Sequence, residues 1–166
     1  MTRKNLLSTI LFFCLMMFES YNSDGNNIAV SNISITGQNL VNQYSMIKFD
    51  ISWENSWRND IAGTGHAMPY NWDAAWVFVK YRVNSGAWKH AWLDSAGHIN
   101  PAGTSFATGL LDPASPFNTT SNPGLGVFIY REANDQGSFS ITGAQLHWNY
   151  GANGVNDNDI IDSGLF

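Results

Sequence analysis

The chain has 166 residues, a length that predicts a single domain. Aromatic residues make up 14% of it and charged residues 13%, which excludes a disordered chain, because disorder requires few aromatics and a high net charge. The formal net charge is -5 and the sequence contains no extended basic run. We therefore exclude nucleic-acid binding and binding to anionic membrane surfaces, since both need clustered Lys and Arg.

The amino terminus differs from the rest of the chain. A short positive region, Thr2–Asn5, precedes a mostly apolar run, Leu6–Phe18. This order is typical of a secretory signal peptide, and the run is too short to cross a bilayer. We therefore predict a helical signal peptide over residues 1–23, with Ser20 or Ser23 as its last residue. An uncleaved anchor is the alternative.

The single cysteine, Cys14, lies inside the apolar run and would be removed with the signal. The remaining domain, residues 24–166, then has no cysteine, so we expect no disulfide and no thiolate metal site. These features predict a secreted or cell-surface protein without membrane contact once the signal has been removed.

Strand patterns dominate the rest of the chain. In residues 44–53, Ile47, Phe49, Ile51 and Trp53 alternate with less apolar residues, which predicts a strand with one buried face. An earlier strand is expected over Ile28–Ile35, with a change of parity near Asn32.

Residues 73–83 are apolar at both parities, which predicts a central strand covered on both faces. The turn residues Asn84–Gly86 follow, and residues 87–93 resume a strand pattern, so we expect a hairpin. A second hairpin is expected between residues 126–131 and 138–148. Its second strand changes parity at Gly143, as at a β-bulge.

No window has a sustained helical period after the signal. Stretches rich in Gly, Pro, Asn and Ser, at residues 55–72, 94–104 and 112–125, are predicted to be loops. Short strands separated by turn signals favour an all-β fold, an antiparallel β-sandwich of jelly-roll or Ig-like type.

Seven tryptophans are many for this length, and they divide into two groups. Trp53, Trp76 and Trp148 lie within strand patterns, and we interpret them as core. Another group lies in the loop-like segment between Glu54 and Asp73, where flat rings next to polar side chains suit a sugar. The candidate ligand-binding residues are Trp57, Arg58, Tyr70 and Trp72. Loop tryptophans that close the end of a sandwich are the alternative.

The sequence shows no catalytic constellation and predicts no cofactor. The four histidines, His66, His90, His98 and His147, lack the tight spacing of a metal motif. No serine nucleophile motif occurs.

An acidic segment near the carboxyl end is the candidate for calcium. Its ligands would be Asp157, Asp159 and Asp162, but the spacing lacks the glycine and the final glutamate of a helix-loop-helix site. A solvated acidic turn is the preferred interpretation.

Four segments together resemble a known domain. They are Phe49–Arg58, Asn71–Arg82, Gly126–Arg131 and His147–Gly151. This pattern is similar to the amino-terminal domain of secreted Bacteroidetes-type proteins that continue into a formylglycine-generating-enzyme-like (sulfatase-modifying) domain. The resemblance covers about residues 26–160 and implies a bacterial origin. The enzyme-like domain has no counterpart here, so none of its catalytic or metal residues carries over.

These observations favour an exported, non-catalytic binding or adhesion domain whose ligand is a glycan or a surface protein. Three alternatives remain open. The chain could self-assemble into a homo-oligomer through an exposed edge strand at its carboxyl end. It could be a truncated fragment of a larger formylglycine-generating-enzyme-like protein, with no activity of its own. It could also be a hydrolase, which requires a pair of carboxylates in one cleft.

Overall fold

A computed structural model describes residues 26–59 and 71–165. Within these ranges the protein is all-β and has no helix, and therefore none long and apolar enough to cross a membrane. The signal peptide predicted for residues 1–23 lies outside the described residues. The strands are β1 (Ala29–Asn39), β2 (Tyr44–Asn59), β3 (Asn71–Trp72), β4 (Ala75–Val77), β5 (Val79–Val83), β6 (Lys89–His90), β7 (Thr104–Leu110), β8 (Gly124–Arg131), β9 (Asp135–Trp148) and β10 (Ile161–Leu165).

The longest strand, β2, organises the first sheet, here called the β2 sheet. It pairs antiparallel with β9 along one edge and with β1 and then β3 along the other. Its alternating residues Ile47, Phe49, Ile51 and Trp53 are all buried. The predicted strand with one buried face is therefore confirmed, although β2 continues to Asn59, into a segment predicted to be loop.

Two bulges interrupt the β2 sheet where the apolar parity changes in the sequence. The pairing of β1 shifts between Ser31 and Ser34, and Asn32 has a positive φ of 54°. The pairing of β9 shifts at Gly143, whose φ is 73°. Both predicted irregularities are confirmed.

Asp50 of β2 links the two bulges. Its carboxylate accepts a hydrogen bond from Asn32 Nδ2 at 2.6 Å and another from the Gly143 backbone N–H at 2.7 Å. The bond from Asn32, followed by the bond from Gly143, lowers the pKa of Asp50, because both favour the ionised carboxylate.

The remaining strands form two three-stranded antiparallel sheets. The β8 sheet has the order β4-β8-β7, and the β5 sheet has the order β10-β5-β6. Only Phe78 separates β4 from β5, so one extended segment contributes a strand to the β8 sheet and the next strand to the β5 sheet. Within this segment Val77, Val79 and Tyr81 are buried, whereas Trp76 is exposed. The prediction of a strand covered on both faces was therefore wrong: one parity faces the core and the other faces outward.

Of the two predicted hairpins, the first is confirmed and the second is wrong. β5 and β6 pair antiparallel across the turn at residues 84–86. In contrast, β8 pairs with β4 and β7, whereas β9 pairs with β2. The segment that follows Arg131 carries the chain from one sheet to another rather than forming a tight turn within one sheet.

A single apolar core joins the sheets. Its side chains come from β2 and β9 and, facing them, from β4, β5 and β8. Trp148 is 1% exposed, and its indole N–H donates to Asn153 Oδ1 at 2.7 Å, so the polar end of this large side chain is satisfied. Trp53 is buried as well, which confirms the core interpretation for these two tryptophans. The arrangement is consistent with a β-sandwich.

Candidate ligand-binding face

The outward parity of the β8 and β5 sheets carries an unusual set of side chains, which we call the aromatic face. Trp76, Phe78, Phe128 and Tyr130 lie along β4, β5 and β8, and the face extends to Trp88, just before β6, and to Trp72 on β3, at the end of the β2 sheet. Trp76 and Phe128 are cross-strand partners with ring centroids 4.5 Å apart, and both remain well exposed, at 38% and 40%. Sequence reasoning placed Trp76 in the core, and this prediction was wrong.

Two glycines fix the position of the Trp76 ring. Gly109 on β7 and Gly126 on β8 are cross-strand partners, and a Cβ on either would lie 2.5 Å from the six-membered ring of Trp76. Real Cβ atoms do not approach so closely. The two missing side chains therefore let the indole lie against the strands with its other surface facing solvent.

A second aromatic pair extends this face at one end. Trp72 stacks on Tyr130, with centroids 4.2 Å apart and ring planes 11° from parallel. Arg58 lies against the Tyr130 ring, with its Cζ 5.9 Å from the ring centroid. Its Nη1 donates to the Arg131 carbonyl at 2.9 Å. The planar stack thus has a hydrogen-bonding cation at its border.

The opposite end combines aromatic rings with charge. Phe78 stacks on the imidazole of His90, with centroids 5.5 Å apart. Arg82 lies over the Trp88 indole at 4.9 Å and forms an ion pair with Asp162 at 2.8 Å. Trp76 and Arg82 are six residues apart along the strand, roughly 20 Å at the usual rise per residue. The aromatic face is therefore elongated along β4 and β5.

A groove of about 500 Å³ borders the Trp76 side of this face. Leu110, Pro113 and Leu125 line it together with Trp76 and Phe128. The loop that carries Pro113 is fixed by a buried amide: Asn122 Nδ2 donates to the carbonyls of residues 112, 115 and 116, and its Oδ1 accepts from the residue 112 N–H. The groove therefore has a preformed wall.

The structure brings together only part of the ligand site proposed from the sequence. Arg58 and Trp72 are paired across β2 and β3, so they share one side of the ladder. Trp57 precedes Arg58 on the same strand, so it points to the opposite side, where it is 42% exposed. Tyr70 lies outside the described residues. The sequence predicts a loop over residues 55–72, but β2 continues to Asn59. The alternation of this strand places Trp57 and Trp72 on opposite sides of the β2–β3 ladder.

Asp73 explains why this corner of the fold is ordered. Its Oδ1 accepts from the Trp57 backbone N–H at 2.7 Å and from Ser56 Oγ at 3.2 Å, and its Oδ2 accepts from the Trp53 indole at 3.0 Å. The carboxylate thereby fixes β2 where the chain passes from β3 to β4, and positions Trp72 at the end of the aromatic face.

Five of the six members of the aromatic face were not proposed as ligand-binding residues from the sequence: Trp76, Phe78, Trp88, Phe128 and Tyr130. When a strand carries apolar residues on both faces, the usual interpretation is that a second layer covers the outer face. The signal that distinguishes this face is the pair Gly109 and Gly126, because glycine within a strand often marks a close approach by another group.

The three aspartates of the calcium candidate do not converge on one point. Asp157 accepts from the Tyr150 hydroxyl at 2.7 Å, Asp159 accepts from the Asn156 backbone at 2.8 Å, and Asp162 pairs with Arg82. Burial, and next the bond to Asp157, raises the pKa of Tyr150.

Asp157 and Asp159 line one cleft of about 330 Å³ between β1 and β10. The hydrolase alternative required two carboxylates in one cleft, so it stays a prediction. Both carboxylates are engaged in hydrogen bonds that shape the turn in which they lie.

His98 links the edges of two separate sheets, and His147 lies beside it. His98 Nδ1 accepts from the His147 backbone N–H of β9 at 3.0 Å, and its Nε2 lies 3.1 Å from Thr108 Oγ1 of β7. His147 Nδ1 lies 2.7 Å from Asp94 Oδ2. Burial, followed by the proximity of His147, lowers the pKa of His98 to about 4.

No group of three or more metal-ligating side chains forms among the residues that the structure describes, and His66 lies outside them.

The search for similar proteins gave no match to any protein-family model, curated protein or solved structure. The resemblance to the amino-terminal domain of formylglycine-generating-enzyme-like proteins therefore stays a prediction, as does the fragment alternative that depends on it.

Proposed function

We propose that the protein is an exported, non-catalytic binding module that holds a glycan chain on its aromatic face. The scaffold is a β-sandwich of jelly-roll or Ig-like type, and the signal pattern at residues 1–23 supports export. One observation carries the proposal: exposed aromatic rings lie side by side on a sheet face that the core does not need.

The chemistry of the face favours a glycan. A pyranose ring has an apolar surface that packs on a flat aromatic ring and a rim of hydroxyl groups that needs hydrogen-bonding partners. The stacked rings of Trp72 and Tyr130 and the exposed indole of Trp76 offer flat surfaces. Arg58, Lys80 and Arg82 place donors along the border.

The shape of the face favours an extended chain over a single terminal sugar. The rings follow β4 and β5 for roughly 20 Å. They are held by backbone geometry and stacking rather than by mobile loops, so little side-chain freedom is lost on binding.

The proposal is tested by affinity electrophoresis of the purified protein in gels that contain one soluble polysaccharide each. The panel consists of a neutral β-glucan, an α-mannan, a xylan and a sulfated polysaccharide. At least one of them should retard the wild-type protein. Trp76→Ala should weaken that binding at least tenfold, about 1.4 kcal/mol, because the residue lies in the centre of the face.

Trp57→Ala is the matched control. It removes an indole of similar exposure from the opposite side of the β2–β3 ladder, and binding should be unchanged. The glycan proposal is refuted if no polysaccharide retards the protein, or if the two variants lose affinity equally. Release of reducing sugar from the bound polysaccharide, lost in Asp157→Asn or Asp159→Asn, would instead support the hydrolase alternative.

A further inference from the structure

One end of the aromatic face is basic, although the chain as a whole is acidic. The segment 74–93, which includes β5 and β6, has the three basic residues Lys80, Arg82 and Lys89 and no aspartate or glutamate. The net charge of the whole chain is -5. The charge of this segment is therefore opposite in sign to that of the rest of the protein.

Two of these cations lie on the outward side of β5, which is the side of the aromatic face. The residues of β5 that alternate with Lys80 and Arg82 are buried in the core or turned towards it, so the two basic side chains start on the outer side. The cross-strand neighbours of Lys80 are Gly164 on β10 and His90 on β6, and neither of them is acidic. Within the ladder, Lys80 therefore has no carboxylate directly beside it.

Arg82 is oriented by two neighbours. Its guanidinium lies over the indole of Trp88, with Cζ 4.9 Å from the ring centroid, and its Nε donates to Oδ2 of Asp162, its cross-strand neighbour on β10, at 2.8 Å. The Asp162 side chain is 48% exposed, so solvent screens this ion pair. The guanidinium has further donors on its two Nη atoms, in a planar arrangement that suits an anion with several oxygen atoms.

We propose that the glycan bound on the aromatic face is acidic, and that a carboxylate or sulfate group of one sugar lies against Lys80 and Arg82 while the sugar rings pack on the aromatic side chains. This inference rests on the proposed glycan-binding function and narrows its ligand to an anionic polysaccharide. Charge complementarity selects this class, because cations beside exposed rings favour an acidic sugar over a neutral one and fix its position along the face.

Isothermal titration calorimetry with matched pairs of polysaccharides tests the charge requirement. Polygalacturonate is compared with its methyl ester, and dextran sulfate with dextran, so that the members of each pair share a backbone and differ in charge. The purified protein should bind at least one acidic member about tenfold more tightly than its neutral counterpart. The pair that shows this difference identifies the anion as a carboxylate or a sulfate.

Opposite changes of charge at one place give a second test. Lys80→Gln and Arg82→Gln should each weaken binding of the acidic polysaccharide roughly threefold or more. Asp162→Asn should strengthen it, because the substitution removes the carboxylate beside Arg82 while its amide oxygen can still accept from Nε. Circular dichroism verifies that the variants are folded.

Lys48→Gln is the matched control, since it removes the same charge from an exposed position on the outer side of the β2 sheet. The affinity of this variant for the acidic polysaccharide should equal that of the wild type. Equal weakening by Lys48→Gln and Lys80→Gln would show a non-specific attraction to charge and would refute the proposal.

Two outcomes distinguish failure of this inference from failure of the proposed function. Neutral polysaccharides that bind as tightly as their acidic counterparts overturn the charge requirement alone and leave glycan binding by the aromatic face standing. In contrast, an acidic polysaccharide that binds equally well to Trp76→Ala is held by charge without the rings, and both proposals are then wrong. The absence of binding to any polysaccharide also refutes both.

Discussion

The two outward surfaces of this fold are built on the same kind of antiparallel sheet and differ in chemistry. The outer side of the β2 sheet carries mainly polar side chains: Ser34, Lys48, Asp50, Ser52, Ser140 and Gln145. The outer side of the β8 and β5 sheets carries the central residues of the aromatic face, and Trp72 on β3 and Trp88 just before β6 extend it at the two ends. Aromatic residues occur on the polar side only towards the ends of β2, with Tyr44 at one end, against His147, and the exposed Trp57 near the other.

The comparison separates what folding requires from what it does not. An antiparallel sheet needs one apolar face against the core, and the polar outer side of the β2 sheet shows that the other face can be hydrophilic. Exposed aromatics on the second sheet therefore add no core burial. A contiguous apolar patch of this kind supports the proposed binding function.

The largest expected effect distinguishes tryptophans on the inner and outer sides of the sheets. Trp148→Ala should lower the free energy of unfolding by about 3–5 kcal/mol, because it empties a fully buried site and removes the hydrogen bond to Asn153. Trp76→Ala should cost less than about 1.5 kcal/mol, since much of its ring is already in solvent. Urea unfolding monitored by circular dichroism measures both.

Equal losses of stability in the two variants would contradict the comparison. They would show that the aromatic face contributes to the core, and the case for a binding surface would then lose its physical basis.

A smaller effect on stability is expected from His98, which links β9 of the β2 sheet to β7 of the β8 sheet. Its pKa is lowered to about 4 in the folded protein and has an ordinary value of 6.5. Below pH 6.5 the unfolded chain binds a proton that the native state does not accept. Stability should therefore fall as the pH decreases from 6.5 to 4, by about 3 kcal/mol at most.

Urea unfolding at a series of pH values checks this dependence. The control is His98→Gln, which lacks the titrating ring and should show a flatter profile across that interval, whatever its absolute stability. An identical slope in the variant and the wild type would mean that other groups, such as the carboxylates, account for the whole loss.

The smallest effect tests the support beneath the aromatic face. Gly109→Ala places a methyl group 2.5 Å from the Trp76 ring, and every atom that it would meet belongs to that side chain. The indole should shift while the fold persists, so polysaccharide affinity should drop several-fold with little change in unfolding. Gly103→Ala is a control for the general cost of replacing a glycine, because its Cβ would meet nothing within 4 Å, although its φ of 78° adds strain. Undiminished affinity in Gly109→Ala would show that the orientation of Trp76 does not matter.

Several features of the fold could be predicted from periodicity. The alternation of Ile47, Phe49 and Ile51 identified the buried face of β2, because a half-buried strand has a period of two. The parity changes near Asn32 and Gly143 identified bulges, because one extra residue exchanges the two faces of a strand.

Other features could not be predicted, for two physical reasons. Neighbouring strands in sequence need not pair, and nothing local to Arg131 shows that β8 and β9 enter different sheets. An apolar residue on the face of a strand that points away from the core gives the same sequence pattern whether another layer covers it or it belongs to a binding face. Trp76 was therefore assigned to the core, and the candidate site was placed around Trp57.

The most direct test of the central claim is a nuclear magnetic resonance titration of the seven tryptophan indole N–H signals with the polysaccharide that retards the protein. Trp72 and Trp76 should show the largest shifts, whereas Trp57 and the buried Trp53 and Trp148 should be nearly unchanged. Shifts concentrated at Trp57, or spread evenly over all seven signals, would contradict the assignment of binding to the aromatic face.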